Sequence, residues 1–217
     1  MSKPRAIIFA NGHLPDLEPA RHLIRGDDFL IAADGGMRHI LALGLLPSIV
    51  IGDLDSLTPD DRQRLEGGSG VEIRQYPRDK NETDLELALR AALDAGYCSL
   101  LVLAALGGRL DQTIANLSLL TAPRLSTLDV RLDDGVEEAF FVRDRAAISG
   151  KPGDTVSLLP WGSPAQGVTT EGLRWPLRGE TLYSDKTRGI SNELLAETAT
   201  ISLKSGLLLV IHRHTDN

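Results

Sequence analysis

Ile49-Val50-Ile51-Gly52-Asp53-Leu54-Asp55-Ser56 places three apolar residues directly before a glycine and a pair of aspartates. Read as a buried strand, the run ends at a sheet edge, and residues two apart on it point to one side. Asp53 and Asp55 then stand side by side. Like charges that close repel unless a cation lies between them. A hard divalent ion such as Mg²⁺ takes carboxylate oxygens while it carries nucleotide phosphates. Gly52 permits a sharp turn, and Ser56 either caps the next segment of chain or adds a small polar ligand. The stretch from Asp53 to Asp61 reads equally as a plain turn into a helix N-terminus, and both readings stay open at this point.

Outward from this run, further apolar segments read as strands at Ala6 to Ala10, Phe29 to Ala33, Val71 to Gln75 and Leu100 to Ala105, with the central run itself spanning Ser48 to Ile51. Helical spacing is expected over Gly36 to Leu43, Pro59 to Leu65, Asp84 to Ala95 and Leu110 to Leu120. Leu85, Leu89, Ala92 and Leu93 carry it in the third of these, with Glu86, Arg90 and Asp94 on other faces. Strand alternating with helix predicts a parallel sheet covered on both faces, a Rossmann-like three-layer α/β domain.

The pattern changes after Pro123. Short strands are expected at Glu138 to Val142, Thr155 to Leu159, Leu173 to Leu177, Ala199 to Leu203 and Leu207 to His212, separated by turns such as Lys151-Pro152-Gly153-Asp154. This spacing predicts an all-β sandwich, so the chain divides into residues 1–126 and 127–217.

The 217 residues suffice for two cores, and 42% hydrophobic with 24% charged residues is ordinary globular composition. A net charge of −7, without interleaved basic and aromatic residues, argues against nucleic acid as a partner. An acidic protein that binds a polyanion such as ATP needs metal ions and a few placed cations instead. Cys98 is the only cysteine, which excludes an intramolecular disulfide and points to a reducing compartment. The N-terminus lacks a signal-peptide pattern and no apolar run reaches membrane-span length, so a cytoplasmic protein is expected.

Neither G-x-x-x-x-G-K-[ST] nor a strand-following G-x-G-x-x-G occurs. The carboxyl ends of the expected strands, where open parallel sheets gather ligands, are nevertheless repeatedly polar or glycine-rich. They read Asn11-Gly12, Asp34-Gly35-Gly36, Gly52 to Ser56, and Gly107-Gly108-Arg109-Leu110-Asp111. One such end is a turn; four on one rim are a site. In Lys80-Asn81-Glu82-Thr83-Asp84, either Asn81 or Thr83 suits a helix N-cap, leaving Asp84 as a third oxygen ligand and Lys80 as a charge for phosphate. Arg109 suits bidentate phosphate binding and Asp111 acid–base or metal-shell duty, against the alternative of a surface ion pair. Trp175, within Gly172-Leu173-Arg174-Trp175-Pro176-Leu177, is a core residue by default. With the polar loop Gly189 to Glu193 nearby, it also suits a flat heteroaromatic ligand.

Taken in order, Ala33 to Gly36, Gly52 to Ser56, Thr83 to Ala88, Gly107 to Thr113, Gly172 to Leu177 and Ser191-Asn192 resemble the thiamine pyrophosphokinase family over nearly the whole chain. The resemblance implies transfer of pyrophosphate from ATP to the hydroxyl of thiamine, by a homodimer whose active sites lie between subunits. It implies Mg²⁺ on Asp53, Asp55 and Asp84, with Arg109 and Lys80 on the phosphates. Asn11, Asp34, Gly35, Gly36 and Gln112 would line the ATP side, and Asp111 would orient or deprotonate the thiamine hydroxyl. Trp175, Ser191 and Asn192 from the partner subunit would hold the thiamine pyrimidine. The chain departs from the family pattern at Asn81, where many relatives carry Asp, and at Gln112, where many carry His. Two rivals are a pyrophosphokinase for another hydroxymethyl heterocycle, such as a pterin, and a metabolite binder without turnover. Three carboxylates that repel one another without a cation speak against the binder.

Overall fold

The apolar runs of the N-terminal portion pair in parallel. The computed structural model describes residues 4–14, 16–55, 58, 65 and 70–215. In it β1 (Arg5–Phe9), β2 (Phe29–Ala33), β3 (Ile49–Gly52), β4 (Glu72–Gln75), β5 (Ser99–Leu103) and β6 (Asp129–Asp133) are ordered β6-β5-β1-β2-β3-β4. Every adjacent pair in that order is parallel. The helices of this portion are α1 (Leu17–Leu23), α2 (Met37–Ala42), α3 (Asp84–Asp94) and α4 (Leu110–Leu119). The helix expected from Pro59 and the role weighed for Ser56 lie outside the described residues.

Registers such as Phe9 with Leu103 and Ala33 with Ile51 bring β1, β2, β3 and β5 to an end on one rim. Ile7, Phe9, Leu30, Ala32, Val50, Leu101 and Leu103 form one core face against Met37 and Ile40 of α2. Ala6, Ile8, Ile31 and Ile51, pointing the opposite way, are buried as well, so both faces are covered. Burying side chains such as Ile7, Ile8 and Ile31 contributes roughly 1.5–3 kcal/mol each. Thr83 starts α3 as an N-cap, its Oγ1 accepting from Glu86 N at 3.2 Å. Leu85, Ala88, Leu89 and Ala92 then form the buried stripe that packs on β1 to β3.

The compact units are residues 1–135 and 136–217, a later division than the one expected after residue 126. The reason is β6: Val130 and Leu132 lie opposite Leu100 and Val102 in a parallel pair, so this strand extends the first sheet. The unpredicted α1 is capped by Asp16, whose side chain accepts from Glu18 N at 3.0 Å.

In the second unit, β7 (Glu137–Val142), β14 (Leu208–Arg213), β9 (Thr155–Pro160) and β12 (Asn192–Glu193) pair antiparallel in that order. A second antiparallel sheet runs β11 (Arg178–Leu182), β10 (Ala165–Glu171), β13 (Thr198–Ser202) and β8 (Arg145–Ser149). Inward residues of both sheets, including Val142, Ile148, Val156, Leu158, Val168, Ile201 and Val210, meet in one apolar cluster. The strand expected over Leu173 to Leu177 is absent. Those residues form the bend joining β10 to β11, with Leu173 and Leu177 buried at its two ends and Trp175 47% exposed between them.

Candidate active site

The strand order fixes where the site lies. After β1 the chain moves through β2 and β3 to β4, then crosses back so that β5 lies on the other side of β1. The crevice between β1 and β5 at their carboxyl ends is such a sheet's ligand-binding position. A cavity of about 660 Å³ opens there. From the expected set, Asn11, Asp34, Asp53, Lys80, Asp84, Arg109 and Gln112 line it.

The rim is built by close backbone approach. A Cβ on Gly36 would lie 1.9 Å from the Phe9 carbonyl oxygen, so only glycine lets the 3-10 turn Asp34–Gly36 pack against β1. Gly35 and Gly36 are buried, and their contribution is this packing. Asp34, Leu54 and Ala104 all have left-handed backbone, with φ of 47°, 64° and 56°, at the ends of β2, β3 and β5. Non-glycine residues held this way concentrate where function over-determines the backbone.

Asp53 and Asp55 do not stand side by side on a strand. β3 ends at Gly52, Leu54 turns the chain, and Asp55 N donates to Asp53 Oδ1 at 3.0 Å. Asp53 therefore reaches the cavity, while Asp55 is exposed beside it. Asn11 Nδ2 donates to Asp34 Oδ2 at 2.9 Å. Burial pushes the Asp84 carboxyl above the usual carboxylate range against the pull of Lys80, and the charges of Asp34 and Asp53 push the same way. Lys80 Nζ sits 3.0 Å from Asp84 Oδ1 as an ion partner outside hydrogen-bond geometry, so this buried oxygen has no hydrogen-bond donor among the described residues. Asp53, Asp55 and Asp84 do not bring one oxygen each within 4.8 Å of one another. An all-oxygen donor set whose members repel, with one buried oxygen lacking a donor, fits a hard divalent cation.

Arg109 precedes α4 and forms a two-point ion pair with Asp111, Nε to Oδ1 at 3.1 Å and Nη2 to Oδ2, both side chains well exposed. The guanidinium holds the Asp111 carboxyl below the usual range, which makes it a weaker base. Asp111 does not line the cavity. From the N-terminal end of α4, Arg109 and Gln112 line it, and a helix N-terminus favours anions.

Sequence reading passed over His13, Arg38, Arg78 and Asn116, which also line the cavity. Arg38 is fixed by donating to the Asn11 and Gly12 carbonyls at 3.2 and 3.0 Å. Asn116 Nδ2 donates to Ala105 O at 2.9 Å. The available signal was two basic residues each two positions from a motif already marked: Arg38 after Gly36, Arg78 before Lys80.

In the second unit, Asn192 is buried and spans the Trp175 backbone. Its Oδ1 accepts from Trp175 N at 3.0 Å and its Nδ2 donates to Trp175 O at 2.7 Å. Its amide is thus largely spent on holding the bend. The Arg174 guanidinium lies 5.2 Å from the Trp175 ring centroid and donates to Glu193 Oε2 at 2.7 Å. Ser191 is exposed, with a left-handed φ of 57°, its N–H donating to Ser157 Oγ at 3.1 Å.

Two family models match the chain. Thiamin pyrophosphokinase, catalytic domain, covers residues 20–132, and Thiamin pyrophosphokinase, vitamin B1 binding domain, covers residues 145–208. Thiamine pyrophosphokinase of Bacillus subtilis (strain 168) is 29% identical over 188 residues, 86% of this chain and 87% of that one. Thiamine pyrophosphokinase 1 of Oryza sativa subsp. japonica is 26% identical over 235 residues, covering 95% and 86%. Among solved structures, thiamine pyrophosphokinase from Bacillus subtilis superposes with a TM-score of 0.87 at 26% identity, covering 99% of this chain and all of that one. The fold is shared with the yeast enzyme, with a TM-score of 0.76 at 19% identity over 98% and 87% of the two chains.

Proposed function

The chain belongs to the thiamin pyrophosphokinase family, and from that premise we propose how its own residues divide the work. The activity is that of the family, transfer of pyrophosphate from ATP to the hydroxyl of thiamine, giving thiamine diphosphate and AMP. The observation that carries the assignment is the cavity at the β1–β5 crevice, where Asp34, Asp53 and Asp84 face Arg38, Arg78, Lys80 and Arg109.

The nucleotide enters that crevice. Asn11, Asp34 and Gln112 line its ATP side, while the packing of Gly35 and Gly36 sets how close the 3-10 turn comes. Asp53, Asp55 and Asp84 are the residues that would hold Mg²⁺. When bound, the ion neutralises charge building on the phosphate oxygens. Lys80, held beside Asp84, and Arg109, released from Asp111, take the outer phosphate oxygens. A guanidinium engaged at two points in solvent gives up a weak partner for a stronger, doubly charged one. The freed Asp111 orients the thiamine hydroxyl. Asn81 and Gln112, where the chain departs from the family pattern, lie beside the positions that would hold the metal and not on them.

Thiamine recognition falls to the second unit, which we read as a sandwich, as we read the first as Rossmann-like. Half-exposed Trp175 offers its ring to the pyrimidine, Ser191 offers a hydroxyl, and Asn192 positions the bend and presents its remaining amide hydrogen. We place these three residues at the cavity of a second copy, so that the working unit is a homodimer. No described helix is long and apolar enough to cross a membrane, and with Cys98 as sole cysteine we assign a reducing, cytoplasmic setting. Incubation with ATP, Mg²⁺ and thiamine should yield AMP and thiamine diphosphate in equal amounts by chromatography. Nucleotide binding without AMP release would overturn the reading.

A further inference from the structure

The second unit holds a cluster that thiamine recognition does not use. Asp154 sits in the turn between β8 and β9, His212 near the end of β14, and His214 just past it. Asp154 Oδ2 lies 3.0 Å from His212 Nε2 and 3.7 Å from His214 Nδ1, and one donor atom from each residue falls within 4.8 Å of the other two. Asp154 and His212 are 1% and 0% exposed, whereas the His214 side chain is 37% exposed and leaves a path to solvent. We propose that Asp154, His212 and His214 form a binding site for one borderline divalent transition-metal ion of the Zn²⁺ class, separate in chemistry from the Mg²⁺ that serves ATP.

The geometry suits such an ion. Donors 2.0–2.1 Å from a tetrahedral centre stand roughly 3.3 Å apart, and the two observed separations bracket that value. Two imidazoles and one carboxylate are a borderline donor set, which selects Zn²⁺, Co²⁺ or Ni²⁺ over Mg²⁺ or Ca²⁺. The backbone at Gly150 packs directly against the pair and admits no side chain there. A Cβ on Gly150 would come within 2.4 Å of Asp154 Oδ2 and 2.7 Å of His212 Nε2. The supporting groups are also in place. Thr215 N and Oγ1 both donate to Asp154 Oδ1 at 2.8 Å, and Lys151 N donates to Oδ2 at 2.8 Å, fixing the carboxylate. Behind His212, Glu138 Oε2 stands 3.7 Å from Nδ1, a buried nitrogen with no hydrogen bond among the described residues. A carboxylate behind the far nitrogen is the usual support for a metal-binding imidazole. Coordination replaces the Asp154–His212 hydrogen bond: His212 binds as the neutral ring with its one proton on Nδ1, toward Glu138, any second ring proton leaving to solvent, so that Nε2 and Asp154 Oδ2 each give a lone pair to the ion. Water completes the fourth position.

The test uses the full chain, stripped with chelator and titrated with Co²⁺ in excess Mg²⁺ without ATP, read by visible absorption. The wild type should take up one Co²⁺ per chain with the intense bands of a tetrahedral nitrogen- and oxygen-ligated ion, and Zn²⁺ should displace it. His214→Ala should weaken binding at least about tenfold, as even supporting partners do when removed. His214→Gln serves the same purpose should the alanine variant lose its native circular dichroism. Asp53→Asn should bind Co²⁺ with the unchanged spectrum. A spectrum and affinity unaltered by either His214 variant, or no tetrahedral spectrum in the wild type, would overturn the site.

Discussion

Asp84 carries the main electrostatic tension of the cavity. It is partly buried, shares the rim with two other carboxylates and has one cation beside it. A carboxylate placed so suits the divalent ion proposed for this site. Asp84→Asn and Asp53→Asn each preserve shape and remove one charge. Turnover should fall by about two orders of magnitude or more, the effect of removing a main source of charge stabilisation. Apo stability should hold or rise, because repulsion is relieved. Near wild-type rates in both variants at limiting Mg²⁺ would remove these residues from the metal site. Arg109 poses a separate question, since in the free protein it is paired with Asp111 in solvent. Arg109→Lys keeps the charge and loses the fork. We predict a substantial loss of kcat or a raised ATP KM with an unchanged circular dichroism spectrum. Wild-type kinetics would reduce the residue to its surface pair.

At the scale of elements, legibility followed burial. β1, β2, β3 and β5 are continuous apolar runs because both of their faces are covered, and such runs announce themselves. α1 did not, because Pro19 in its first turn reads as a breaker although a proline is tolerated there. β8 and β10 are rich in Ala, Thr, Gly and Ser, with too little apolar alternation to stand out. Leu173 and Leu177 misled in the other direction: apolar and in a β-rich region, they anchor a bend whose backbone bonds to Asn192, Glu193 and Thr170 and which joins no ladder beyond a single bridge from Leu173 to Leu194. The glycines of the rim were visible as residues but not as geometry. Gly36→Ala drives a Cβ into the Phe9 carbonyl, backbone that cannot step aside, and should destabilise the fold by about 1–3 kcal/mol. A lower urea midpoint at unchanged slope would register this; an unchanged midpoint would mean the turn relaxes freely. Asn192→Ala leaves the Trp175 backbone N–H and C=O without their partner, at a cost of about 1–3 kcal/mol. It should raise the thiamine KM more than the ATP KM, since the bend that carries Trp175 loosens while the cavity's residues are untouched. Equal changes in both constants would mean general unfolding instead.

At the scale of the whole molecule, the motifs at the strand ends were readable because a parallel sheet sends every strand's carboxyl end to one rim, so chemistry scattered over a hundred residues of sequence converges by topology alone. Which of those residues face inward was only partly readable. The Arg109–Asp111 ion pair was one of the two readings the sequence offered, but Asp53 and Asp55 separate at a left-handed Leu54 that no local rule of sequence predicts. Trp175→Ala should raise the thiamine KM strongly and the ATP KM much less, because stacking on one substrate is lost. Mixing Trp175→Ala chains with Asp53→Asn chains tests where that tryptophan works. If each site joins the carboxylates of one chain to Trp175 of the partner subunit, a heterodimer of the two variants contains one site with both parts intact. Activity should then return on subunit exchange, up to about half the wild-type level per dimer when sites act independently. If each chain used its own Trp175, one variant would lack its metal ligand and the other its stacking surface in every combination. Verified heterodimers without recovery would refute the shared site and leave the pyrophosphoryl transfer itself standing.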